Sequence, residues 1–303
     1  MKRRLGALAA GAALLLAGCG GPPPAPKPPS VRVGSLGAPL ALAPLALGPG
    51  NPPTVVATGP AARAAVFLVA PSTDLGPLAR EGFTVIGGLC RTSPETLLWH
   101  GRTVFAWTDL AKGPLYLAPG ADAATLALAV RRYRGVLDAL PAAVPQTGGV
   151  AAFRKDPAAL LLAPEPLASQ LVAQGAATLA QPLADELGPY PTCLVYARRS
   201  VLRADPLLVG SLLRRLDRGL LEIAAERAER ELPALRELAP SLPPTAWLRA
   251  MAAAHAEGIF AQTVLLDAQA LRTLRQEIAP GAWPRGALDL GPARSAVRRP
   301  FAP

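Results

Sequence analysis

The chain has 303 residues, with 31 Lys or Arg against 21 Asp or Glu, a formal net charge of +10 and a hydrophobic fraction of 51%. That length allows two lobes or one large domain at about 100 to 200 residues per domain, with enough apolar sequence for a core. Much of the positive charge is Arg spread along amphipathic stretches, with no basic run and 14 aromatic residues in all. This describes a solvated surface beside an anionic membrane and argues against a nucleic-acid partner.

Lys2, Arg3 and Arg4 precede an uncharged stretch from Leu5 to Ala17, which is shorter than the roughly 20 apolar residues of a membrane-spanning helix. A basic start, a short apolar run and small residues before a cut site read as a secretory signal. The cut site Leu16-Ala17-Gly18-Cys19 resembles the lipobox of bacterial lipoproteins, in which the cysteine is lipidated and becomes the first residue. The resemblance implies a mature chain outside the cytoplasm, held to a membrane by acyl chains at Cys19. Removing the leader lowers the formal charge to +7. The other cysteines, Cys90 and Cys193, form an even pair in an oxidising compartment and could form a disulfide; two separate buried thiols are the alternative.

Residues 20–30 are Pro-rich and predict an extended tether of roughly 30 Å, at about 3.1 Å per residue. Folded structure is expected from the alternating strand Val31–Leu36, followed by Gly37-Ala38-Pro39 and a short apolar helical run to Leu47. A Pro/Gly break at 48–53, the pair Val55 and Val56, and a turn at Thr58-Gly59-Pro60 come next. Proline just inside a helix start predicts a helix over 60–70. Phe83–Ile86 reads as a buried strand running into Gly87-Gly88-Leu89-Cys90. Leu115-Tyr116-Leu117 reads as another strand, followed by Pro119-Gly120-Ala121-Asp122 and a helix from about Ala123 to Tyr133. Such a turn presents backbone N–H groups at a helix N-terminus, where a carboxylate, sulfonate or phosphate could bind, or where Asp122 could serve as a plain cap. Strands at 159–163, 176–179 and 191–197 alternate with a helix ending near Gly175. Helices at about 205–230, 243–256 and 266–278 follow, so the pattern is α/β with a helical C-terminus. Residues 281–303 are rich in Pro, Gly and Arg and read as loosely held.

The order Trp107-Thr108-Asp109-Leu110-Ala111-Lys112-Gly113, then Leu115-Tyr116-Leu117 and Pro119-Gly120-Ala121, resembles a segment of ABC-importer solute-binding proteins of the nitrate, sulfonate, taurine and thiamine-precursor type. Ala163-Pro164-Glu165-Pro166 resembles that family's Glu-Pro segment, and Tyr190–Val195 the strand by which the chain returns to its first lobe. The resemblance implies a type II periplasmic-binding-protein fold of two α/β lobes joined by two crossing strands. Lobe I would be 31–106 plus 194–303, and lobe II 107–193. By position, the ligand cleft would draw on Ser35, Gly37, Pro39, Thr58, Gly59, Gly120, Ala121, Asp122, Glu165 and Thr192. Cys90 and Cys193 would lie near the crossovers, where a disulfide would restrain the hinge. The implied partners are a small molecule, with a hint of an anionic group, an ABC permease with its ATPase, and the membrane through the lipid, the protein acting as a monomer without cofactor. The chain departs from the family between the first helix and Val55, where a further strand and helix are missing. A non-transport lipoprotein of the same fold, acting as sensor partner or envelope scaffold, is therefore the alternative.

Enzyme readings find little footing. The chain has no Gly-x-Ser-x-Gly elbow, no Walker pattern and no Gly-x-Gly-x-x-Gly, and its two histidines, His100 and His255, lack metal-site spacing.

Overall fold

Phe67–Ala70 is a continuous apolar run, and such a run suits a strand covered on both faces. In the computed structural model it forms the centre of a five-stranded sheet. The structure describes residues 31–49, 54–101, 104–131, 149–225, 232–278 and 283–297. The leader, Cys19 and the Pro-rich tether lie outside the described residues, as do residues 50–53 of the break and the predicted helix end at Tyr133.

The first sheet contains β1 (Arg32–Ser35), β2 (Thr54–Thr58), β3 (Phe67–Pro71), β4 (Phe83–Cys90) and, from much later in the chain, a strand at Cys193–Arg198. The second contains β5 (Glu95–Trp99), β6 (Leu115–Leu117), β7 (Leu160–Pro164) and β8 (Thr178–Pro182), which makes Cys193–Arg198 β9. The strand orders are β2-β1-β3-β9-β4 and β6-β7-β5-β8. β1 is parallel to β2 and β3, whereas β9 runs antiparallel to both β3 and β4. The chain thus crosses between the sheets twice, outward between Cys90 and Glu95 and back between Pro182 and Cys193.

The helices are α1 (Ala43–Leu47), α2 (Leu75–Arg80), α3 (Ala123–Arg131), α4 (Gly149–Phe153), α5 (Leu167–Ala173), α6 (Leu183–Leu187), α7 (Arg199–Ala204), α8 (Pro206–Ala224), α9 (Leu232–Leu238), α10 (Pro244–Ala256), α11 (Ala268–Glu277) and α12 (Gly291–Val297). Alternation along β3 sends Phe67 and Val69 into a core with α1, α8, α9, α10 and α12. Leu68 and Ala70 point to the opposite face, against α2 and α11. The second sheet is covered likewise, Leu160 and Leu162 facing α3 and α6 while Leu161 and Ala163 face α4 and α5. Among the described residues no helix is long and apolar enough to cross a membrane.

Three expectations are corrected. The helix predicted over 60–70 is a 3-10 turn over Gly59–Ala64 followed by β3; burial on both sheet faces outweighs the helix-start signal of Pro60. The outward crossing precedes residue 107, because β5 already pairs with β7 and β8. The C-terminal stretch is held in part, since α12 buries Ala293 and Ala296 against α8.

α1 and α8 meet through glycine. A Cβ on Gly219 would lie 1.8 Å from the Pro44 carbonyl oxygen. Gly219→Ala would gain about 1 kcal/mol of helix propensity, but the backbone clash outweighs it and requires the helices to part. A net loss of about 1–3 kcal/mol is expected, seen as a melting temperature several degrees lower. An unchanged or raised melting temperature contradicts this contact.

Candidate functional site

The sequence places short polar loops at the strand ends that face the other lobe, and these loops meet. After β1, Ser35 is buried and its hydroxyl donates to the Gly37 carbonyl at 3.4 Å. Thr58, at the end of β2, is the register partner of Ser35, Gly59 opens the following 3-10 turn, and Pro39 opens the turn before α1. From the second lobe, Gly120 adopts φ +82°, a left-handed conformation that favours glycine. A Cβ there would lie 3.4 Å from the Gly37 carbonyl oxygen. The backbone N–H of Leu40 reaches the Glu165 carbonyl at 3.4 Å. The two lobes are therefore in direct contact at Gly37, Leu40, Gly120 and Glu165.

Asp122 is the centre of the site. Its Oδ1 accepts from the Ala124 N–H at 3.0 Å, and its Oδ2 accepts from Thr125 Oγ1 at 2.7 Å, which caps α3. The same Oδ2 accepts from Thr73 Oγ1 of the first lobe at 2.7 Å. The Asp122 N–H donates to Glu95 Oε1, and Ser93 Oγ lies 3.5 Å from Glu95 Oε2. Ala121 sits in the turn between, its N–H bonded to the Ala118 carbonyl at 3.1 Å. Glu95 is buried, and burial first, then the charge of Asp122, pushes its carboxyl well above the usual carboxylate range.

The crossing segments are bonded to each other. Thr192 Oγ1 donates to the Thr92 carbonyl at 2.6 Å, and its own carbonyl accepts from the Ser72 N–H at 2.7 Å. Ser72 Oγ donates to the Tyr190 hydroxyl at 3.2 Å. Cys90 and Cys193 are register partners on β4 and β9, both buried and both free thiols. Glu165 binds back to the first turn of α5, accepting from the Ser169 N–H and hydroxyl, both at 3.1 Å. Its carboxyl is spent on the helix end, and burial pushes it upward.

Of the positions expected from sequence, Gly37, Gly120, Asp122, Glu165 and Thr192 lie at or beside the interlobe contact. Thr58 and Gly59 stand one strand further out. Sequence reasoning missed Ser72, Thr73, Ser93, Glu95 and Tyr190. A polar triplet at the end of a buried strand, as Ser72-Thr73-Asp74 is after β3, marks a site in open α/β sheets; reading 60–70 as helix concealed it.

With this geometry in place, the fold is that of the periplasmic binding proteins, two lobes joined by two crossing strands. The chain is similar to a protein of Bordetella bronchiseptica RB50 (TM-score 0.69, 16% identity, 88% of this chain and 96% of that one). It is also similar to the alkanesulfonate-binding protein SsuA of Xanthomonas axonopodis pv. citri, bound to MOPS (TM-score 0.64, 19% identity, 87% and 99%). A third similar structure is the ligand-binding component of an ABC-type import system of Staphylococcus aureus, with zinc bound (TM-score 0.64, 8% identity, 89% and 99%). No protein-family model and no curated protein sequence matches the chain. Among the described residues no group of three or more His, Cys, Asp and Glu is placed to hold a metal ion.

A second contact joins the lobes through α5 and α10. Glu257, at the end of α10, is half-buried, and burial together with Asp185 and Glu165 pushes its carboxyl up to about 7. Asp74 is also raised, by burial first, with Arg63 opposing. A carboxyl with a raised folded value binds its proton more tightly folded than unfolded, so its contribution to stability falls as pH rises above the ordinary value of 4.5, until the folded value is passed. The melting temperature is therefore expected to drop between pH 5 and 7 at constant ionic strength, and to drop less in Glu257→Gln. A rise over that window, or an identical profile in the variant, contradicts the assignment.

Proposed function

We propose that this chain is the solute-binding lipoprotein of an ABC importer. Cys19 carries the lipid, residues 20–30 space the folded body from the extracytoplasmic face of the membrane, and the interlobe cleft captures a small molecule for a permease driven by its ATPase. It acts by binding and release and not by catalysis, as a monomer. Lobe I comprises the first sheet with the C-terminal helices, and lobe II runs from β5 to the return at Cys193. Loops carrying Ser35, Gly37, Thr73, Gly120, Ala121 and Asp122 line the cleft, with Pro39, Thr58, Gly59, Glu165 and Thr192 around them.

The observation that carries the reading is the meeting of Thr73 and Asp122 across a twice-crossed pair of sheets. Clefts between lobes are where small ligands sit, and hinge closure is the motion such a connection allows. Closure on a ligand requires differential affinity for the closed state. The fold likeness to ABC-import binding proteins supports the same conclusion. One feature favours the sensor or scaffold alternative: the polar groups of the cleft already bond to each other.

A thermal-shift screen of the detergent-solubilised full-length chain against sulfonates, nitrate, amino acids, pyrimidines, amines and vitamin precursors distinguishes the two. A solute present at 100 times its dissociation constant adds about 2.7 kcal/mol of stability, a shift of several degrees. At least one such hit is expected. A flat response across the panel contradicts the receptor reading and favours the scaffold or sensor role.

A further inference from the structure

The N-terminal turn of α3 looked in sequence like a seat for an anion, but the protein's own carboxylates occupy it. The Asp122 N–H is bound to Glu95, and the Ala124 N–H to the side chain of Asp122. Among the described residues, the Asp122 carboxylate accepts from the Ala124 N–H and from the Thr125 and Thr73 hydroxyls. An ionised carboxylate only accepts, and so do sulfonate and nitrate. Across the cleft the nearest wall also presents an acceptor, since the Gly37 carbonyl faces Gly120. Asp74 adds another carboxyl beside Thr73, and the cation near it, Arg63, is paired with Glu81.

Thr73 is the donor that Asp122 takes from the other lobe. A solute that enters between the lobes parts this bond at the half-buried Asp122 carboxylate, and a charge-assisted hydrogen bond donated by the solute restores what is lost. We infer that the cleft takes a small molecule presenting a hydrogen-bond donor, a protonated amine or amidine, to Asp122, and that it rejects solutes whose polar groups only accept. Thr73 marks the position of that donor in the solute-free chain. Asp122 determines specificity by direct contact, and Glu95 acts through it by holding the Asp122 backbone.

This inference rests on the receptor reading, and the test separates the two. Thermal shift and calorimetry on the full-length chain would compare putrescine, agmatine and aminomethyl-heterocycle cations with methanesulfonate, ethanesulfonate and nitrate, in the native chain and in Asp122→Asn. The expected result is binding confined to compounds with a protonated nitrogen, with affinity at least tenfold weaker in the variant. Binding of methanesulfonate, ethanesulfonate or nitrate at comparable affinity overturns the donor requirement while leaving the receptor reading intact. Binding of a cation with unchanged affinity in Asp122→Asn overturns the role of Asp122. A response to neither series overturns this inference, whereas the receptor reading falls only if the wider panel of solutes is flat as well. If Asp122→Asn does not fold, the selectivity of the native chain between the two series alone decides.

Discussion

One carboxylate ties the two lobes together at the cleft by a side-chain hydrogen bond. Asp122 ends the turn after β6, caps α3, and accepts a hydroxyl from the opposite sheet through Thr73. Its backbone N–H is held by Glu95 at the start of β5. The register of the second sheet thus fixes where Asp122 stands, and the 3-10 turn after β3 fixes where Thr73 meets it. Hydrogen bonds to charged groups contribute more than neutral ones, about 1.5–3 kcal/mol. A single bond of this kind can therefore bias a hinge between open and closed.

The hinge itself is narrow. The outward and return segments are tied by Thr192 to Thr92 and by Tyr190 to Arg91, and Ser72 is tied to both Thr192 and Tyr190. At the edge of this knot, Cys90 and Cys193 face each other as buried thiols on neighbouring strands. In the proposed closure, these few residues would absorb the motion of one lobe against the other. The α5–α10 contact, with Glu257 near the carboxyls of Asp185 and Glu165, is a second place where the lobes meet.

Much of this was legible in the sequence, for local reasons. Phe83–Cys90 and Cys193–Arg198 are apolar, β-branched and bounded by turn residues, so their strands were evident. Asp205 before Pro206 is a cap and first-turn pair, and the helix beginning there was equally plain. The Pro119-Gly120 turn advertised the α3 end of the site. What remained hidden depends on partners distant in sequence. Phe67–Pro71 follows a proline that suits a helix start, and only pairing with β1 and β9 makes it a strand. Glu95 looks like any polar residue before an apolar strand, and its role appears only when Asp122 is brought to it. Ala293 and Ala296 are small residues in a Pro- and Arg-rich tail, and only the surface of α8 gives them a place to pack.

The bond between Thr73 and Asp122 couples the two side chains across the cleft. A double-mutant cycle of Thr73→Val, Asp122→Ala and the double variant, with unfolding free energies from denaturant titration, measures that coupling directly. Residues in contact show interaction energies of about 0.5–3 kcal/mol, while independent sites add within about 0.3–0.5 kcal/mol. A coupling of about 1 kcal/mol or more is expected. Additive effects would mean that the two side chains do not meet in the solute-free chain, and the closed cleft built around Asp122 would fall.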